Sequence, residues 1–241
     1  MMIFYRLSDG SYPKVRFKYA TKDKCLINFI NRFEFEPMYL YLDNVKDETF
    51  ERIRKLAFSE RTMYGMEKDT HIIRTNAGSS AGSFKLVFEE ALKQADTEMI
   101  YFVEDDYWHL DNACAILLEG LEIADYISLY DHKDKYIPAA KGGNKFIGED
   151  GAEQTKVAIT KSRHWKLTNS TTMTFATRVS TLKDDAEIWQ KHITGTYPRD
   201  FDCFIELRHK GKSLITPIPS LSTHCEPMWA APLIDWEKII R

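Results

Sequence analysis

The chain has 241 residues, 29% of them charged and 44% hydrophobic, and a formal net charge of −3. That length suits one sizeable α/β core and would cramp two full domains. The slight acidity argues against a general nucleic-acid binder, which carries a basic face. No apolar run approaches the roughly 20 residues of a membrane span, which leaves peripheral membrane contact open but no transmembrane segment.

The amino terminus enters a strand-like segment over residues 2–7 without the basic, apolar and small-residue regions of a signal peptide, which favours a cytoplasmic or host-cytoplasmic location. Apolar spacing predicts a helix over 21–33, with Leu26, Ile27, Phe29, Ile30 and Phe33 on its inner side. A strand over 38–42 ends at Asp43-Asn44, and a helix over 48–58 follows. A third strand, 71–74, runs into Asn76-Ala77-Gly78-Ser79-Ser80-Ala81-Gly82-Ser83, and then a helix over 84–94. Residues 99–103 form a near-continuous apolar run, the pattern of a strand buried on both faces of a parallel sheet. Glu104-Asp105-Asp106 come directly after it. Asp111 is placed to cap a helix over 112–124, and 126–130 reads as another strand.

From 131 to 163 the periodicity weakens. Lys141-Gly142-Gly143-Asn144-Lys145 reads as a mobile solvated segment or a lid. A strand over 171–177, a helix over 181–192, a helix over 202–209 stopped by Gly211 and a strand over 214–221 complete the chain before His224. Cys25, Cys114, Cys203 and Cys225 are far apart and form no paired motif, so they read as reduced buried thiols rather than disulfides or a zinc site.

An alternating α/β chain opens its ligand site at the carboxyl ends of its strands, where Asp9, Asp43, Asn76 and Glu104-Asp105-Asp106 all fall. Clustered carboxylates there present oxygen ligands to a hard divalent cation, and an imidazole from a distant segment completes such a site. Each piece alone has a plainer reading. Carboxylates after a strand often solvate a loop, His224 suits a structural histidine, and Asp200 and Asp202 suit a helix start. Tyr107, Trp108 and His109 either floor a pocket or pack. The run from Asn76 to Ser83 has no Gly-Lys-Ser/Thr, so it is no Walker loop.

Taken in order, these segments resemble the GT-A nucleotide-sugar glycosyltransferases, particularly the large inverting group numbered family two. The likeness lies in Asn76-Ala77-Gly78, a helix, and an apolar strand ending in acidic residues. It continues with Arg199-Asp200-Phe201-Asp202, a helix, Gly211, a strand and His224. It covers roughly residues 2–226 and implies one GT-A domain, with a Rossmann-like, mostly parallel sheet flanked by helices. Residues 1–110 would bind the nucleotide-sugar donor and 111–241 the acceptor. It further implies inverting transfer of a sugar to a hydroxyl of a glycan, a lipid-linked sugar or another acceptor. Asp106 and His224 would hold Mn²⁺ or Mg²⁺. Asp200 would be the base, with Asp202 as the fallback. Arg6, Asp9, Asp43, Arg74, Asn76, Gly78, Glu104 and Asp105 would contact the donor. Glu104 and Arg199 depart from the family pattern, which has Asp and Glu there.

Two rivals share the α/β layout. One is a sugar-phosphate nucleotidyltransferase, for whose basic Gly-rich signature Asp9-Gly10-Ser11-Tyr12 is a poor match. The other is a non-catalytic nucleotide- or carbohydrate-binding protein of the same fold.

Overall fold

The computed structural model describes residues 1–10 and 14–241, so Ser11 and Tyr12 of the stretch just named lie outside the described residues. Strands β1 (Met2–Ser8), β2 (Met38–Asp43), β3 (Thr70–Thr75) and β4 (Met99–Glu104) run parallel, joined by helices α1 (Lys22–Ile30), α2 (Asp47–Thr62) and α3 (Ser80–Ala91). After β4 come β5 (Tyr107–His109), α4 (Ala113–Leu121), β6 (Tyr126–Ile127), β7 (Val157–Ile159), β8 (His164–Leu167) and β9 (Phe175–Arg178). The chain ends with α5 (Val179–Asp184), α6 (Ala186–His192), α7 (Asp200–His209), β10 (Leu214–Ile218), β11 (Ser222–His224) and α8 (Trp236–Ile239). The main sheet has the order β3-β2-β1-β4-β9-β6-β10-β8-β7, parallel through its first half and mixed beyond β4, while β11 and β5 form a separate ribbon. Among the described residues no helix is long and apolar enough to cross a membrane.

The period-two alternation of buried strands divides the core between the sheet's two faces. Ile3, Tyr5, Leu40, Leu42, Tyr101 and Val103 pack with α1, α2 and α4. Phe4, Tyr41, Ile100 and Phe102 turn the other way, toward α3, Trp189 and Phe204. With apolar layers on both faces, only the strand ends are left for polar chemistry. The buried Sγ atoms of Cys25 and Cys225 lie 3.8 Å apart, bringing α1 against the residue after β11.

Several predicted elements change shape for identifiable reasons. The single helix expected over 181–192 breaks at Asp185, whose fully buried carboxylate accepts a hydrogen bond from Tyr126 Oη at 2.8 Å and pairs with Lys210. The strand expected over 171–177 begins only at Phe175, because Thr172 and Met173 adopt left-handed φ angles of 47° and 58°. The strand expected over 214–221 ends at Ile218, and the chain pairs again only in β11, along β5. Asp111 is not a cap. Asn112 holds that position in a left-handed conformation, while Asp111 is exposed and pairs with Arg32. Trp236 belongs to a third apolar cluster, its indole nitrogen donating to Ala231 O.

The segment from Lys141 to Lys145 is not simply solvated. Asn144 is buried and donates to Asp134 and Asn169, and a Cβ on Gly143 would lie 1.7 Å from Ile137 O. Gly143→Ala therefore forces a backbone shift, and we expect it to cost about 1–3 kcal/mol. That is a fall in Tm of roughly 2–12 °C for a chain of this size. Gly148→Ala, where the nearest atom is a side-chain oxygen of Asp150 at 3.3 Å, should melt like wild type. Paired thermal melts check both.

Candidate active site

The strand ladder sets the site before any side chain does. In the parallel pairing of β1 with β4, Arg6 stands opposite Glu104, and their side chains meet at 2.6 Å. In the pairing of β2 with β3, Asp43 stands opposite Thr75, whose hydroxyl donates to Asp43 Oδ1 at 2.9 Å. The carboxyl ends of β1, β2 and β4 thus open together into a cavity of about 610 Å³.

Three consecutive carboxylates end β4, and each is matched by a cation from a different segment. Glu104 takes Arg6. Asp105 accepts from Ser8 N at 3.0 Å and pairs with Lys22 at 2.8 Å. Asp106 is contacted by Lys14, by His224 Nε2 at 3.2 Å and by Arg16 at 3.8 Å. His224 reaches Asp106 because β11 runs antiparallel to β5, with His224 opposite Tyr107, and Cys225 N closes the ribbon by donating to Asp106 O. The second ring nitrogen of His224 lies 3.5 Å from Glu226.

Burial and these neighbours divide the acids. Burial pushes the Glu104 carboxyl up to about 7; the anions Asp106 and Asp105 add to this, and Arg6 and His224 oppose it. Burial also raises Asp105, against the pull of Lys22. Asp106 goes the other way: burial alone would raise it, but His224 and Lys14 hold it well below the ordinary carboxylate range. His224 is raised in turn; burial disfavours its charged form, and Asp106 more than offsets that.

Asp200 reaches the cavity from the far side. It is the first residue of α7, and its Oδ2 accepts from the amides of Thr171 and Thr172 at 2.9 and 2.8 Å. The two amides lead into a left-handed turn at Thr172 and Met173. Arg199 has no part in holding Asp200; its guanidinium donates to Lys191 O. Thr172 and Asp200 also line a second cavity of about 290 Å³, bordered by Asp134, Lys145 and Phe201.

Of the residues singled out from the sequence, Arg6, Asp43, Gly78, Glu104, Asp105, Asp106, Asp200 and His224 line the larger cavity. Four do not. Asp9 is exposed and accepts from Lys46 N at the start of α2. Arg74 packs over Phe50 and pairs with Asp47 at 2.6 Å. Asn76 is exposed beside the rim. Asp202 is 48% exposed, lies 3.7 Å from Lys145 and lines neither cavity. Gly78, at φ 74°, turns the chain so that Ser79 caps α3 by accepting from Gly82 N. Tyr107 and His109 are buried packing residues outside the cavity wall, His109 lying 2.8 Å from Tyr101 Oη.

Sequence reasoning missed Lys14, Arg16 and Lys22, which line the same wall, and Glu226 behind them. The readable signal was a basic stretch after the first strand of an otherwise acidic chain.

Among the described residues no group of three or more His, Cys, Asp or Glu side chains could hold a metal ion alone. Asp106 and His224 nonetheless fit a cation shared with a ligand's oxygens. Asp106 Oδ1 is buried without a hydrogen-bond partner among the described residues, and a nitrogen-plus-carboxylate pair suits Mn²⁺ well.

No family profile and no curated protein matches this chain. Among solved structures it is similar to GalNAc-T7, determined with UDP, GalNAc and Mn²⁺. That match has 11% identity and a TM-score of 0.56 over 95% of this chain and 44% of that one. The galactosyltransferase LgtC, bound to donor and acceptor sugar analogues, matches at 11% identity and a TM-score of 0.48, over 90% of this chain and 73% of that one. The 4-diphosphocytidyl-2C-methyl-D-erythritol synthase of Anaerococcus prevotii matches at 10% and 0.47, over 99% and 95%. The chain thus spans less than half of GalNAc-T7, and the likeness is one of architecture: the chain has the α/β fold of the GT-A glycosyltransferases.

Proposed function

We propose that this protein is a metal-dependent, inverting glycosyltransferase that moves a sugar from a nucleotide-diphosphate donor to an acceptor hydroxyl, on a glycan, a lipid-linked sugar or another molecule. One observation carries the reading: a single cavity joins the buried Asp106–His224 pair to the anchored carboxylate of Asp200. The donor side falls mostly on residues before 110 and the acceptor side on residues after 111, with His224 crossing over.

Asp106 and His224 would hold the divalent cation, which supplies charge stabilisation for a departing diphosphate. Arg6, Lys22 and Arg16 line the same wall and favour an anionic ligand there. Glu104, its carboxyl pushed up to about 7 by burial, stays paired with Arg6 at 2.6 Å on the same wall. Asp200 would take the proton of the attacking hydroxyl. With Oδ2 fixed by two amides, the oxygen left for that task is Oδ1, which accepts no hydrogen bond from the described residues. Asp200 and Thr172 line both cavities, which supports entry of an acceptor from the smaller one. Proton NMR of the product tests this directly: retention of the anomeric configuration would sink the mechanism even if transfer occurred.

Lys14, Arg16 and Lys22, all following β1, favour a second reading as a sugar-phosphate nucleotidyltransferase. Release of pyrophosphate from a nucleoside triphosphate and a sugar phosphate would select it.

If Asp200 is the base, Asp200→Asn should lower kcat by roughly 10²–10⁴-fold. Thermal stabilisation by nucleoside diphosphate plus Mn²⁺ should persist. Asp202→Asn, outside the cavity, should keep near-wild-type turnover; the reverse pattern would transfer the role to Asp202.

A second test concerns Glu104. Its carboxyl is raised in the folded protein, from 4.5 to about 7, so between those values the unfolded chain has released a proton that the folded chain keeps. Stability therefore falls as pH rises through this window. Melts from pH 5 to 8 should show wild type losing about 1–3 kcal/mol relative to Glu104→Gln. Parallel pH profiles would remove the assignment.

A further inference from the structure

The acids around His224 are neutralised from an unexpected direction. Lys14 lies between β1 and α1, its side chain is 8% exposed, and its ammonium sits between Asp106 Oδ2 and, at 3.2 Å, Glu226 Oε1. His224 faces the same two carboxylates with its two ring nitrogens, Nε2 toward Asp106 Oδ2 and Nδ1 toward Glu226. Arg16 approaches Asp106 Oδ2 as well, at 3.8 Å.

Asp106 and Glu226 are thus matched by Lys14, Arg16 and His224 before any metal arrives. A cation held by His224 and Asp106 would share the Asp106 carboxylate with the Lys14 ammonium. Charges this poorly solvated interact far more strongly than in bulk water, so a doubly positive ion arriving alone leaves the site with excess positive charge. A diphosphate arriving with it restores the balance.

We propose that Lys14 is a tethered counter-ion neutralising the Asp106 carboxylate in the ligand-free protein, so that a divalent cation enters only together with a diphosphate-bearing ligand. The inference rests on the reading that Asp106 and His224 hold such a cation. It goes beyond that reading by assigning the order of binding to one side chain. Linkage requires that metal and diphosphate each tighten the other by the same factor, and Lys14 is the residue that sets this coupling.

The test measures Mn²⁺ alone, by the EPR signal of the free ion, on the full chain. Wild type should bind it weakly, and Lys14→Met at least about tenfold more tightly. Lys14→Arg, which keeps the charge, should stay weak, and Asp106→Asn should abolish binding in both backgrounds. Lys14→Met removes one cation from beside Asp106 and Glu226, so its Tm should drop without Mn²⁺ and recover with it, by more than wild type gains. UDP, GDP, CDP and ADP, tested in turn, should raise Mn²⁺ affinity strongly in wild type and little in Lys14→Met.

Equal Mn²⁺ affinity in wild type and Lys14→Met would overturn the proposal, as would no Mn²⁺ binding by either. The two readings fail separately. Sugar transfer with Mn²⁺ affinity unchanged by Lys14→Met removes the counter-ion and leaves the enzyme. A tenfold gain in Mn²⁺ affinity with no transfer from any nucleotide sugar does the opposite.

Discussion

Three consecutive carboxylates at the end of a strand covered on both faces are the constraint around which this protein is arranged. Left unpaired in such surroundings, they would cost several kcal/mol each. Each is met instead by a cation from elsewhere in the chain: Arg6 from β1, Lys22 from α1, Lys14 from the connection between them, and His224 from more than a hundred residues away. Assembling the site and closing the fold are therefore one event. The β5–β11 ribbon packs in the third apolar cluster, fixes His224 beside Asp106 and draws the carboxyl-terminal segment onto α1.

How much of this was legible in the sequence follows from the range of the interactions involved. β4 could be read because a strand buried on both faces needs an unbroken apolar run, and Met99–Glu104 has one. Where the strands stopped marked the cavity rim, which located Asp43, Glu104, Asp105 and Asp106. Orientation at the rim was not readable. Arg74 leaves β3 toward Asp47, and Asp9 lies one residue past β1 and turns to the start of α2. Both sit at a strand end in sequence and point away from the cavity in space.

The cations were missed because the segment after β1 has no periodicity, and nothing local says which acid a lysine there will face. Asp200 and Asp202 looked equivalent for a related reason. They are two residues apart on a helix, so they face different directions, but only the turn at 171–173 decides which direction is inward. Alternating side chains made that turn look like a strand. The resemblance to a known family supplied His224, which residue chemistry alone reads as an ordinary buried histidine.

That turn also explains how the carboxylate proposed as the base is held without the acidic neighbour that the family pattern leads one to expect. A β-branched residue at positive φ is a costly conformation and persists only when its surroundings over-determine it. At Thr172 the compensation is visible: its amide and that of Thr171 both donate to Asp200 Oδ2. The strain and the anchoring are thus two sides of one arrangement. Arg199 is free to turn away toward Lys191 because backbone amides, rather than a neighbouring side chain, hold Asp200. An amide pair fixes one oxygen of a carboxylate and leaves the other without a hydrogen bond from the described residues, on a residue that lines both cavities.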